Sequence, residues 1–130
     1  TLLDHDRALQ RLMDAALAQN VEIVVGGPYS SGILAGGAHF EYQKASPAIV
    51  NKVEQIKRLA AAHGVDVKAA ALQFSLANPA VAAVIPGSSR PQRIAEDVAA
   101  LSAVIPVAFW QAMREAKLVS ERAPLPLIGA

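Results

Sequence analysis

Two short apolar runs, each followed within two positions by glycine, constrain the fold of this chain more than any other feature. Residues 21–25 (VEIVV) are followed by Gly26 and Gly27, and residues 81–85 (VAAVI) are followed within two positions by Gly87. Such runs bounded by Gly and Pro indicate β-strands, and the fully apolar second run is typical of a strand covered on both faces. Helical patterns lie between the two runs, so the alternation predicts βαβ units and parallel strands.

Helix signals fill most of the remaining chain. The spacing of apolar residues predicts helices over about residues 4–20, 46–64, 66–77, 91–101 and 107–118. Asp4, Ser46 and Asp66 are the predicted N-caps, and Asn20 and Gly64 the predicted stops. We expect residues 1–3 to end a strand and residues 123–127 to be extended. Two full strands do not make a stable sheet alone, so this order predicts a slice of a larger, rounder α/β fold.

Composition excludes several function classes. The 130 residues are 53% hydrophobic and 18% charged, with 12 basic and 11 acidic side chains and no Cys. This hydrophobicity excludes a disordered segment, and the charge balance argues against a nucleic-acid partner. The lack of Cys gives no sign of secretion, and no apolar run reaches the length of a transmembrane helix, so we expect a cytoplasmic protein without a membrane partner. The three His have no metal-ligand spacing, so no metal site is predicted.

The loop after the first strand is the first candidate for chemistry. Gly26 and Gly27 allow a ligand to approach the backbone closely, and the adjacent hydroxyls of Ser30 and Ser31 can donate to phosphate oxygens. Ligands in barrels and open α/β sheets bind at this end of parallel strands. The alternative is an ordinary flexible turn, and the spacing alone does not decide between them.

The loop after the second strand has the composition of an anion site. Ser88 and Ser89 supply hydroxyls, Arg90 and Arg93 supply two guanidinium groups, and the following helix supplies free amides at its N-terminus. The alternative is a plain capped helix in which Arg93 pairs with Asp97 on the surface. Neither a Rossmann glycine fingerprint nor a phosphate-loop Lys motif occurs.

These loops resemble those of one enzyme family. Residues 84–97 (VIPGSSRPQRIAED) resemble the cofactor motif after the eighth strand of aldo-keto reductases, and residues 25–34 (VGGPYSSGIL) are similar to the loop after their seventh strand. Residues 1–4 match the end of the sixth strand. The first loop is most similar to the branch with D-threo-aldose 1-dehydrogenases, L-fucose dehydrogenases and pyridoxal 4-dehydrogenases. The resemblance covers nearly the whole chain and implies that residues 1–130 are the C-terminal portion of one (β/α)8 TIM barrel.

The resemblance also implies a cofactor, NADP or NAD, and a role for each loop residue. Tyr29 (through its backbone), Ser30 and Ser31 would hold the pyrophosphate. The adenosine 2′-phosphate or ribose would be surrounded by Ser88, Ser89 and Arg93, and the adenine edge would be contacted by Glu96 and Asp97.

Two departures from the family pattern leave the choice of cofactor open. Many members have a Tyr that stacks on nicotinamide where this chain has Gly26. NADPH-specific members have a Lys beside the 2′-phosphate where this chain has Gly87, although Arg90 and Arg93 could compensate. Both NADP and NAD therefore stay candidates.

The resemblance assigns no catalytic residue to this chain. The family's tetrad of Asp, Tyr, Lys and His lies in the first half of the barrel, and none of its motifs occurs here. An intact barrel needs roughly 250 residues, so we expect the missing N-terminal part as a partner. The parent protein is then an NAD(P)-dependent oxidoreductase that moves hydride between cofactor and an aldose or other small carbonyl or alcohol substrate. The alternative is a non-catalytic phosphate- or nucleotide-binding α/β module.

Overall fold

The two predicted strands form and lie side by side in parallel. A computed structural model of the chain describes residues 1–30, 32–40 and 43–127. Its strands are β1 (Ile23–Gly26), β2 (His39–Phe40), β3 (Gln43–Lys44) and β4 (Val81–Ile85), and its helices are α1 (Met13–Ala18), α2 (Pro47–His63), α3 (Val67–Ala77), α4 (Pro91–Leu101) and α5 (Val107–Glu115). β1 pairs with β4, so that Gly26 lies opposite Ile85. β2 and β3 form a short antiparallel hairpin in the long loop after β1.

Local signals placed the ends of α2 and α3 correctly. The hydroxyl of Ser46 accepts a hydrogen bond from the amide of Ile49 at 3.4 Å, and Gly64 ends α2 with φ +65°. The carboxylate of Asp66 accepts from the amide of Lys68 at 3.0 Å and so caps α3. These caps satisfy amides that the first helical turn leaves without a partner.

The first predicted helix differs in detail. A π-helical stretch over Ala8–Leu12 precedes α1, and the helix ends as predicted where Asn20 takes φ +54°. The predicted cap at Asp4 is not seen among the described contacts; its carboxylate accepts instead from the guanidinium of Arg7 at 3.4 Å. Residues 1–3 form no strand in the described part of the chain, since they make no ladder of backbone bonds, although Leu2 is fully buried.

The expectation that the second strand is covered on both faces was wrong for the described residues. α3 packs against β4, yet Ile85 at the end of β4 is 60% exposed and Val24 in β1 is 55% exposed. The physical reason is that a sheet face is buried only where another element packs on it, and the face that carries Val24 and Ile85 is left open. A surface of this kind is what one portion of a barrel leaves open.

The hydrophobic core lies mainly between the helices. Phe109 and Trp110 of α5 are fully buried, their rings meet edge to face at 4.9 Å, and Trp110 also lies near Phe74 of α3. The tail packs against this core. Ala123 is buried, and its carbonyl accepts from the guanidinium of Arg114 at 2.7 Å. The tail over residues 123–127 forms no helix, as predicted, but it is not fully extended, since the amide of Leu127 donates to the carbonyl of Leu125 at 2.9 Å.

One side chain fixes α4 relative to α3. The amide nitrogen of Gln73 donates to the carbonyls of Ala100 and Ala103 at 2.9 and 2.8 Å. Ala100 lies in the last turn of α4 and Ala103 two residues after the helix, so Gln73 joins α3 to the segment where α4 ends. The opposite end of α4 is thereby held over the beginning of α3. Within the described residues, no helix has the length and apolarity needed to cross a bilayer.

Candidate functional site

The loops that follow β1 and β4 open into one cleft of about 750 Å³. They meet because parallel strands end at the same edge of a sheet. The beginning of α3 and the first turns of α4 form the remaining walls. The cleft brings together seven of the residues that the sequence analysis assigned to the cofactor: Gly27, Tyr29, Gly87, Arg90, Arg93, Glu96 and Asp97.

Three side chains from separate elements join at the floor of this cleft. The hydroxyl of Tyr29 donates to Oδ1 of Asp97 at 2.5 Å, and Nζ of Lys68 lies 2.8 Å from the same oxygen. The ammonium group of Lys68 also lies 5.3 Å from the centre of the Tyr29 ring, within the range of a cation–π contact. We refer to Tyr29, Lys68 and Asp97 as the latch, since it ties the loop after β1 to α3 and α4.

The electrostatics of the latch favour an ionised Asp97 and neutral Tyr29. Burial alone would raise the pKa of Asp97, but the hydrogen bonds from Lys68 and Tyr29 outweigh it and hold the pKa below its usual value. Burial, and then the bond to Asp97, raises the pKa of Tyr29 far above its usual value. The hydrogen bond with Asp97 also raises the pKa of Lys68. The latch therefore keeps its charges over the whole physiological pH range.

Two further cations line the cleft without an acidic partner. Among the described residues, no carboxylate lies within 4.0 Å of Arg90 or Arg93. The surface pair between Arg93 and Asp97, which the sequence left open as an alternative, is not formed; Asp97 pairs with Lys68 instead. α4 begins at Pro91, directly after Arg90, and Arg93 lies in its first turn. Helix dipole and arginines together make this wall of the cleft attractive to anions.

Backbone geometry explains how the loop after β1 reaches the cleft. Gly27 takes φ +59° and Ser30 takes φ +50°, conformations in the left-handed region. The carbonyl of Gly27 accepts from the amide of Ser30 at 2.9 Å, which closes a turn. The carbonyl of Tyr29 accepts from the amides of Gly32 and Leu34. The turn buries the Tyr29 ring and directs its hydroxyl to α4.

Four of the assigned residues are described outside the cleft lining. Ser30 is buried and its hydroxyl donates to the hydroxyl of Thr1 at 3.0 Å. Ser88 is exposed and binds its own loop, since its hydroxyl donates to the carbonyl of Arg90 at 2.8 Å and accepts from the amide of that residue at 3.3 Å. Ser89 is exposed and Gly26 ends β1. Ser31 lies outside the described residues, so its predicted contact with the pyrophosphate stays a prediction.

Sequence reasoning missed Lys68. Glu96, by contrast, was assigned; its side chain is 63% exposed and its carboxylate lies 3.4 Å from Nζ of Lys68. Lys68 is the single charged residue in α3, whose sequence is otherwise VxAAALQFSLA. A lone cation in a mostly apolar helix was the available signal, because such a side chain needs a partner where the helix is buried. The spacing of residues along the chain did not identify Asp97 as that partner, because the two residues lie on different helices.

The comparisons with known proteins agree with this geometry. Residues 1–117 match the model described as the Aldo/keto reductase family. The chain belongs to this family. It is 29% identical over 115 residues to a pyridoxal 4-dehydrogenase from Microbacterium luteolum, covering 85% of this chain and 34% of that protein. It is 30% identical over 125 residues to a D-threo-aldose 1-dehydrogenase from a Pseudomonas species, covering 92% of this chain and 37% of that protein.

A solved structure confirms the fold of this aldo-keto reductase chain. The holo form of an aldo-keto reductase from Bacillus halodurans matches with a TM-score of 0.63 at 21% identity, over 92% of this chain and 40% of that one. The prediction of an α/β portion of a TIM barrel, with parallel strands alternating with helices, is confirmed. The chain spans between about a third and two fifths of the length of these proteins.

Proposed function

We propose that this chain forms the cofactor-binding part of an NAD(P)-dependent aldo-keto reductase. The whole protein would transfer hydride between a nicotinamide cofactor and an aldose or a small aldehyde or alcohol. One observation carries the proposal: Arg90 and Arg93 flank the N-terminus of α4 in the cleft, and neither has a carboxylate partner among the described residues. Two unpaired guanidinium groups at a helix N-terminus suit a phosphate-bearing ligand.

The shape of the cleft also suits a dinucleotide. A volume of about 750 Å³ lies within the range of cofactor pockets. A Cβ atom added to Gly26 or Gly87 would meet no atom within 4 Å, so the backbone at both strand ends is open to a ligand. The Bacillus halodurans relative was solved in a holo form, which supports a bound cofactor in this family.

The proposed contacts divide between the two loops. The backbone of Tyr29, with Ser30 and Ser31, would hold the pyrophosphate. Arg93, with Ser88 and Ser89, would hold the 2′-phosphate or ribose. Glu96 is the more accessible acid for the adenine edge, because Oδ1 of Asp97 already accepts from Tyr29 and Lys68. When bound, the nicotinamide ring supplies or accepts the hydride, and the residues of this chain bind and orient the dinucleotide.

The substrate class and the catalytic group are further parts of the proposal. One curated relative is named for pyridoxal and the other for a D-threo-aldose, which supports a carbonyl or sugar substrate. We expect the catalytic tetrad in the part of the barrel that this sequence does not contain. That part would also cover the exposed strand faces around Val24 and Ile85.

Titration of the full-length protein with NADP and NAD tests the proposal. Arg93→Ala should raise the dissociation constant of the preferred cofactor by about 10- to 100-fold, because a hydrogen bond between charged groups contributes about 1.5–3 kcal/mol. Arg58→Ala is the matched control, since Arg58 lies on the exposed face of α2 outside the cleft lining. Failure of the unmodified protein to bind either dinucleotide would refute the proposal, as would equal affinities for the two variants. Binding without turnover of any aldose or aldehyde would favour the non-catalytic module.

A further inference from the structure

We propose that Lys68 is a positioning residue of the cleft, which neutralises Asp97 and thereby leaves Arg93 available to the phosphate groups of a ligand. This inference rests on the proposed cofactor site and adds to it a residue that lines the cleft and acts through Asp97. Its basis is that Asp97 pairs with Lys68, and not with Arg93, in the structure.

Two basic side chains, Arg93 and Lys68, are candidate ion-pair partners of Asp97. Arg93 lies four residues earlier on α4, the spacing at which oppositely charged side chains on a helix form ion pairs. Asp97 instead pairs with Nζ of Lys68 at 2.8 Å, on a neighbouring helix. Attraction to Arg93 also contributes, as the smallest of the named causes, to the lowered pKa of Asp97. Of these two cations, Lys68 is the one that lies within ion-pair distance of Asp97.

Lys68 is well held for this task. Its side chain is 17% exposed and that of Asp97 is 10% exposed, so their ion pair is shielded from water. Its backbone amide donates to the cap residue Asp66 at 3.0 Å, which fixes the beginning of α3. The bonds from Gln73 to Ala100 and Ala103 keep α4 at a constant distance from α3.

Loss of Lys68 would change the charge of the cleft as well as its packing. The carboxylate of Asp97 would keep Tyr29 as a donor but lose its cation. The nearest remaining cation on the same helix is Arg93, which would turn to Asp97 and be withdrawn from a bound phosphate. A negative charge without compensation would also repel that phosphate directly.

The test measures binding of inorganic pyrophosphate to the full-length protein by calorimetry. Pyrophosphate is the chosen probe because it has no adenine, so any contact between Asp97 and adenine does not affect the result. Lys68→Met should weaken binding about tenfold, since truncating one partner of a buried charge pair leaves the other charge uncompensated. Lys68→Arg keeps the charge and should bind within about twofold of the unmodified protein. Lys57→Met, which breaks an exposed pair with Glu54, is the matched control and should bind normally.

The double variant Lys68→Met/Asp97→Asn separates charge from packing. It removes both charges, so we expect pyrophosphate affinity to return to within about threefold of the unmodified protein. Thermal unfolding, measured in parallel, should show that both variants are folded at the temperature of the titration. A double variant that binds as weakly as Lys68→Met would overturn the inference, because Lys68 would then act through packing or by binding the phosphate itself. If the unmodified protein binds neither pyrophosphate nor a dinucleotide, the proposed function itself fails.

Discussion

Replacement of Tyr29 by Phe isolates one bond of the latch. The change removes only the hydroxyl that donates to Oδ1 of Asp97 at 2.5 Å, and the ring keeps its buried position and its contact with Lys68. No cavity forms, so the cost is the hydrogen bond alone. Bonds to charged groups contribute about 1.5–3 kcal/mol, and Asp97 keeps Lys68 as a partner. We therefore expect a loss of about 1.5–2 kcal/mol in the free energy of unfolding.

Urea unfolding of the full-length protein at pH 7 measures this loss. The same substitution in an Asp97→Asn background is the control, because a neutral acceptor reduces the value of the bond. There the loss should be about 0.5–1 kcal/mol. The difference between the two backgrounds is the coupling between the hydroxyl and the charge of the carboxylate.

The pH dependence of the free energy of unfolding gives an independent check on the contribution of the Tyr29 hydroxyl. The folded pKa of Tyr29 is raised above the unfolded value, so the contribution of its hydroxyl is fully present below about pH 10 and is lost as pH rises further. The stability of the unmodified protein should therefore fall more steeply above pH 10 than that of Tyr29→Phe. A loss below about 0.5 kcal/mol at pH 7, or equal losses in both backgrounds, would refute the reasoning.

Two further predictions concern a buried histidine and a backbone conformation. Nε2 of His5 accepts from the amide of Ser120 at 3.0 Å, and burial lowers the pKa of His5, so stability should fall as pH drops below about 6.5. Urea unfolding across pH 5–8 should show that His5→Gln, which keeps an acceptor but does not titrate, removes this fall; parallel curves would contradict it. Gly27→Ala should cost about 1 kcal/mol of unfolding free energy because φ is +59°, whereas Gly87→Ala should cost close to nothing. Equal costs in denaturant titrations would count against this reading of the turn.

Local signals were sufficient for most of the secondary structure. Ser46 and Asp66 cap the predicted helices and Gly64 ends one of them, because capping depends on groups within four residues along the chain. The strand over residues 81–85 was also placed correctly, since a short apolar run next to Pro and Gly has few alternatives. The burial of that strand was predicted wrongly, because burial depends on which other elements pack against it.

The sequence by itself determined that two loops rich in glycine, hydroxyl and arginine residues follow parallel strands. The rule that parallel strands end at one edge then placed both loops at one cleft, and the structure brings Tyr29 and Arg93 together there. Only the tertiary structure decided which acid pairs with which cation. Spacing along α4 made Arg93 the candidate partner of Asp97. Packing of α3 against α4 instead places Lys68, a residue 29 positions earlier, beside the same carboxylate. Ion pairs depend on distance in space, and spacing along the chain predicts that distance only within a single helix.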